Sequence, residues 1–318
     1  MSYKQIKINK TFNLGIQVLR ILLSFWVVLI HTYYFEAKNP LKKYIKEKMF
    51  HVPTFIFISF YFYYNNIASR DNYKILQKFK RLLIPYIIWP FIFLILDNTI
   101  NKIFNIKIFG RRVTLKEYFY QIILGHKFYN PFFYISVFLF LSILFTIIGY
   151  IFKNNFLLII QIFGIFIYML HHLGIEIILM KYNLFCLLSN SIIQLTPTAV
   201  VGFSAGAIKI IHLLKGFYIQ ALIISFLLLI CLFKFDIFLP QEGNLYKDIE
   251  LNTFGAINLF ILFSSIPLEK VQSKRITSMI KLISYNTGGI YYIHYIIFSY
   301  LVNLIKIFNK NGILRSKI

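Results

Sequence analysis

Apolar runs recur along this chain at close to the length of a bilayer crossing, and that spacing limits the folds open to it more than any other feature. The runs lie near 14–35, 52–68, 82–99, 131–152, 155–173, 184–210, 216–234, 251–268 and 283–307. A membrane-spanning helix needs about 20 mostly apolar residues. Because hydrocarbon offers backbone groups no partner, each run is expected to close its own hydrogen bonds as a helix. A tenth could sit within 100–126, where Tyr118, Phe119 and Tyr120 precede Ile122 and Ile123. Composition agrees: 58% of the 318 residues are hydrophobic and 14% charged, far from the soluble average. The expectation is an all-α, polytopic integral membrane bundle of 9–10 transmembrane helices forming one domain over 1–318. The loops near 36–51, 100–130 and 235–250 are too short to bury cores of their own.

Lys4, Lys7 and Lys10 precede the first run, as in a signal peptide, but no small-x-small site follows it. An uncleaved first helix is the reading. The formal charge of +23 would suit a nucleic-acid partner. The basic residues are scattered among short loops, however, and form no face that could track a phosphate backbone, so nucleic acid is excluded as a partner. Cys186 and Cys231 lie inside apolar runs without metal-ligand or disulfide spacing, and no metal is expected.

Charge bias leaves orientation undecided. With the N-terminus inside, the inner segments carry 15 Lys and Arg and the outer ones 18. Two details favour N-in: three lysines precede the first helix, and the run Arg70, Lys74, Lys78, Lys80 and Arg81 abuts the third.

The first run contains Arg20 and His31 in the stretch RILLSFWVVLIH. Eleven residues at about 100° each make nearly three turns, so both leave one helix face, about 16 Å apart along the axis. Ionisable side chains at mid-membrane are costly, by about 2.5–3.5 kcal/mol on insertion scales, and usually face a cavity or partner. The plainer alternative is that Arg20 snorkels to the near headgroups and His31 hydrogen-bonds at the far interface.

Five stretches, in order, make the chain resemble the membrane acyltransferase 3 family. Arg20 and His31 match its basic residue, ten residues and histidine. Pro53-Thr-Phe55-Ile-Phe57-Ile-Ser59-Phe60 matches its second helix, except that Phe60 stands where the family has glycine. Lys78-Phe-Lys80-Arg81-Leu-Leu-Ile-Pro85-Tyr86 is similar to its basic third-helix opening. Tyr129-Asn-Pro-Phe-Phe-Tyr and Ser284-Tyr-Asn-Thr-Gly-Gly-Ile290-Tyr291-Tyr292-Ile293-His294 are similar to its fourth and last helices.

The resemblance implies transfer of an acyl group, most often acetyl, from cytoplasmic acyl-coenzyme A to a hydroxyl of a cell-surface polysaccharide or lipid-linked sugar, in a multi-pass bacterial plasma-membrane protein. Acyl-coenzyme A would be a donor substrate rather than a bound cofactor. The partners are then the bilayer and the glycan acceptor, with oligomeric state open. His31 is the expected general base, its imidazole titrating near neutrality. Arg20 shares its face, and Asp97 is a candidate to orient it. Lys78, Lys80 and Arg81 are expected to bind the donor phosphates, although ordinary anchoring of a third helix would use the same residues. Ser59, Tyr291 and His294 are cavity candidates. His171 and His172, adjacent and so pointing apart, read as interfacial residues, and His51, His126 and His212 as loop or boundary positions. A polysaccharide exporter or lipid-linked sugar flippase is the alternative, although an internal repeat, expected of many transporters, is not evident.

Overall fold

Asn13 starts the first helix and ties it to one of the last. In the computed structural model its side-chain oxygen accepts the N–H of Ile16 at 3.1 Å, a helix N-cap, while its amide donates to the carbonyl of Ser264 at 2.9 Å. Gly15 permits that approach, because a Cβ there would lie 1.8 Å from the carbonyl oxygen of Phe263. The structure describes residues 13–32, 51–104, 114–124, 133–174, 186–214, 216–234, 246–266 and 273–287.

The described residues form helices and turns, with no strand among them. In chain order the helices are α1 (Leu14–Thr32), α2 (His51–Ala68), α3 (Asn72–Phe104), α4 (Leu115–Leu124), α5 (Phe133–Phe152), α6 (Phe156–His172), α7 (Cys186–Ala207), the short α8 (Ile210–Leu214), α9 (Tyr218–Lys234), α10 (Tyr246–Ser265) and α11 over 274–287.

Side-chain pairings fix their directions. Gly202 and Gly206 lie against Phe57 and Tyr61, so α7 runs parallel to α2. Tyr63 donates to the Ser142 carbonyl at 3.3 Å and Gly149 abuts Ile67, so α5 is parallel as well. Thr198 meets Thr253, and Phe57 and Tyr61 both meet Phe260, which adds α10 to the set. α1, α3 and α6 run the opposite way: Trp26 meets His51, Lys78 meets Phe138, and Gly164 meets Val200. The end where α1 begins is called proximal, the other distal.

α2 and α7 share the most extensive contact in the bundle. It depends on Gly202 and Gly206, where a Cβ would lie 2.6 Å from the Phe57 carbonyl oxygen and 2.4 Å from that of Tyr61. Small residues four apart allow this backbone approach. On the other side of α2, Phe60 is fully buried against Phe138 and Phe145. The position where the family has glycine is therefore filled by an aromatic contact with α5, and the close approach to α2 comes from the α7 glycines.

The interior of the bundle is mainly apolar with a minority of polar residues set in it, and its surface also carries many large apolar side chains. Thr54, Asp97, Ser142, Thr196, Thr198 and Ser284 are buried, whereas Ile84, Ile88, Phe91, Ile95 and their neighbours on α3 are exposed. Two stretches, Asn72–Thr99 and Tyr134–His172, are long and apolar enough to cross a membrane, and four shorter apolar helices accompany them. The second stretch is a hairpin of α5 and α6, turned by the 3-10 segment Lys153–Asn155.

Several expected boundaries move. The third run begins ten residues earlier than 82, because the basic segment forms the opening turns of α3. Within 100–126 the described residues are helical over 100–104, where α3 ends, and over Leu115–Leu124, about 15 Å; 105–113 and 125–126 lie outside the described residues. The ninth run enters the described region from 274, and its portion beyond 287 lies outside the described residues.

Candidate active site

Arg20 on α1 and Lys78 on α3 both lie in the proximal half of the bundle. α1 and α3 run parallel, and the two cations lie in electrostatic range. Lys78 sits on the face of α3 that also carries buried Ile75 and the core-packed Phe79 and Leu82, the i, i+3, i+4 stripe of a packed helix. Its ammonium donates to the Ser59 carbonyl at 3.2 Å and stands over the rings of Tyr63, at 4.1 Å, and Phe138, at 4.8 Å. Aromatic faces attract a cation more strongly where water is excluded.

Arg20 is held from below. Its Nη1 donates to Gln17 Oε1 at 3.5 Å, and Ser24 Oγ donates to the Arg20 carbonyl at 2.9 Å. Ser284 on α11 donates to the same Gln17 oxygen, and Thr287 donates to the Ser284 carbonyl at 2.8 Å. Tyr134, opening α5, lies within electrostatic range of the guanidinium. One turn after Lys78, the guanidinium of Arg81 stands 5.3 Å from the ring centre of Tyr285.

Among the described residues, no carboxylate pairs with Arg20, Lys78 or Arg81. A guanidinium carries five donors and an ammonium three, and contacts among the described residues occupy few of them. Two like charges held together in an apolar interior repel unless an anion joins them. The arrangement is suited to receiving a polyanion, and arginine's planar fork matches phosphate geometry.

The expected donor trio therefore separates. Lys78 turns into the bundle, while Lys80 and Arg81 are exposed, Arg81 reaching the α11 aromatic. Ser59 joins the site through its backbone carbonyl. Asp97 is buried on α3 but 19 residues beyond Lys78, about 28 Å along the axis, in the distal half. His31 lies in the last turn of α1, also toward the distal end; its side chain, Tyr291 and His294 are outside the described residues.

His51 lies at a boundary, within the expectation of a loop or boundary position. It opens α2, is 7% exposed and meets the Trp26 ring at 6.4 Å. His171 and His172, expected to point apart, have their rings in an edge contact with centres 5.8 Å apart, but differ in burial. His171 is buried at the end of α6, while His172 pairs with Glu250 at 3.5 Å beside Tyr168, which donates to the same carboxylate. His212 is exposed, and His126 lies outside the described residues.

Sequence reasoning missed Gln17, Tyr63, Phe138 and Tyr285. Gln17 was detectable in principle, one turn before Arg20 on the same face. The aromatics could not be distinguished in a chain with 36 Phe and 23 Tyr. Among the described residues, no group of three or more His, Cys, Asp or Glu could hold a metal ion.

Large apolar side chains over the surface of helices long enough to cross a membrane, with two cations set among the packed helices, are the pattern of a helical protein of membrane type. The chain belongs to the acyltransferase 3 family, whose sequence model, described as an acyltransferase domain, matches residues 13–315. No curated protein and no solved structure gives a significant match to the chain.

Proposed function

We propose that this protein is a multi-pass membrane O-acyltransferase. It takes an acyl group, acetyl in the simplest case, from cytoplasmic acyl-coenzyme A and transfers it to a hydroxyl of a cell-surface polysaccharide or lipid-linked sugar. The reading is supported by Arg20 and Lys78, two cations within electrostatic range of one another in the proximal half of the bundle, with no carboxylate paired to either among the described residues. Donor phosphates would neutralise them, with Arg81 at the proximal mouth. The thioester would then extend along α1 toward His31, about 16 Å further on.

The chemistry follows from that placement. The neutral His31 imidazole takes the proton of the sugar hydroxyl as its oxygen attacks the thioester carbonyl. The tetrahedral intermediate collapses by expelling the coenzyme A thiolate, which takes a proton as it leaves. Exclusion of water from the reacting groups would keep it from competing as acceptor.

The test compares ester-linked acyl groups on the surface glycan with and without the protein, by mild base release and mass spectrometry. Loss of a specific ester supports the transferase. Unchanged esters with glycan retained inside the cell would instead indicate an exporter.

A further inference from the structure

α2, α5 and α7 run in parallel and all end proximally, and the turn after each contains a residue with left-handed backbone: Arg70 (φ 51°), Lys153 (φ 41°) and Lys209 (φ 53°). This conformation favours glycine, because a Cβ crowds the following carbonyl. At Arg70 the hydrogen bonds complete the motif: its N–H donates to the Ile67 carbonyl at 3.0 Å, and the Asp71 N–H to that of Asn66 at 3.1 Å. These are the paired bonds of a Schellman terminator, whose left-handed position is usually glycine and sometimes asparagine. The Lys209 N–H likewise donates to the Gly206 carbonyl at 3.2 Å.

At the distal end the chain does the expected thing. α6 stops at Gly174 (φ 66°), whose N–H donates to the His171 carbonyl at 3.0 Å. Nor is asparagine scarce near the proximal turns, since Asn65, Asn66, Asn154 and Asn155 flank them. The dipole at a helix C-terminus favours a cation, but one in the last turn would serve without strain; α2, α5 and α7 have none there. The three basic residues are exposed at the turns, and among the described residues no carboxylate pairs with them, whereas neighbouring Lys74 is paired with Asp71.

We propose that Arg70, Lys153 and Lys209 form a contact surface for the anionic phospholipid headgroups of one leaflet, seating the proximal end of the bundle in it. Backbone strain is retained because glycine would remove the charge from the point that meets the headgroups. The inference rests on the membrane reading but not on acyl transfer.

The test uses the full-length protein in vesicles of phosphatidylcholine alone or mixed with phosphatidylglycerol, with thermal unfolding as the readout. The native protein should unfold several degrees higher in the anionic vesicles. A variant combining Arg70→Gly, Lys153→Gly and Lys209→Gly should be at least as stable in phosphatidylcholine, the strain having gone, and should lose more than half of the anionic shift. A control combining Lys74→Ala, Lys274→Ala and Lys281→Ala should keep most of it. If the triple glycine variant does not fold, the corresponding asparagine variant, which also tolerates the left-handed conformation, is read in the same way. Retention of the full shift by the glycine or asparagine variant overturns the proposal. So does an equal shift in phosphatidylcholine on adding inorganic phosphate, which would mark a soluble-anion site. Failure to insert into either vesicle would instead overturn the membrane reading.

Discussion

Lys78 on α3 differs in its surroundings from its near neighbour Lys80, and the helix period accounts for this: position 78 falls on the stripe with Ile75 and Leu82, and position 80 falls off it. If the Arg20–Lys78 pair receives donor phosphates, Lys78→Met should raise the KM for acyl-coenzyme A about 10- to 100-fold, the value of a hydrogen bond to a charged group, with kcat much less affected. Steady-state kinetics over donor concentration decides this; an unchanged KM would leave Lys78 as a packing residue. His31→Ala should behave in the opposite way, lowering the rate by about 10² to 10⁴ while donor binding survives, as loss of a general base does. Equilibrium binding and ester content, measured on the same membranes, separate the two behaviours. Full activity in His31→Gln would remove the catalytic role. The Arg20 and His31 spacing was legible from sequence because α-helical geometry is regular. The approach of Arg20 and Lys78 to within electrostatic range was not, because it depends on how helices pack.

Among the elements, long apolar runs declared themselves, and several of their limits agree with the helices to within a few residues. α4 did not, although Thr114 and Glu117 form a reciprocal capping box, with the Thr114 N–H donating to Glu117 Oε2 at 2.9 Å and the Glu117 N–H to Thr114 Oγ1 at 3.3 Å. That Thr-x-x-Glu signature was readable. The start of α3 was misread because lysines looked like loop, although the long side chains of Lys and Arg suit a helix well. The α2–α7 contact gives a prediction at this scale. Gly202→Ala should destabilise the fold by about 1–3 kcal/mol, since the added carbon meets backbone that cannot yield. Gly216→Ala, with nothing within 4 Å of its Cβ, should be close to neutral. Thermal unfolding in detergent compares them, and equal stability would mean that the glycine contact is not needed.

For the whole molecule, the apolar surface of α3 and of the α5–α6 hairpin is the property that sequence composition announced and the fold displays. Orientation could not be had from charge counts, because lysine is abundant on both sides of the tally. The helix directions put residues 74 and 274 near one end and residue 173 at the other. Single cysteines at Lys74 and Lys274 should therefore be shielded from an impermeant thiol reagent in intact cells, while one at Leu173, 73% exposed, should label. Opposite labelling would turn Arg20, Lys78 and Arg81 away from cytoplasmic donor.

The tie from Asn13 to Ser264 joins residues 251 apart, and that from Gln17 to Ser284 joins residues 267 apart. At about 5–20 residues per second, the ribosome makes Asn13 roughly 10–50 s before the partner that holds it. Through that interval α1 carries Arg20 into the membrane without its final neighbours, dependent on the translocation machinery or on provisional contacts. The surroundings of Arg20 are therefore among the last parts of the molecule to become complete, and a nascent chain stopped before α10 would lack the Ser264 and Ser284 contacts.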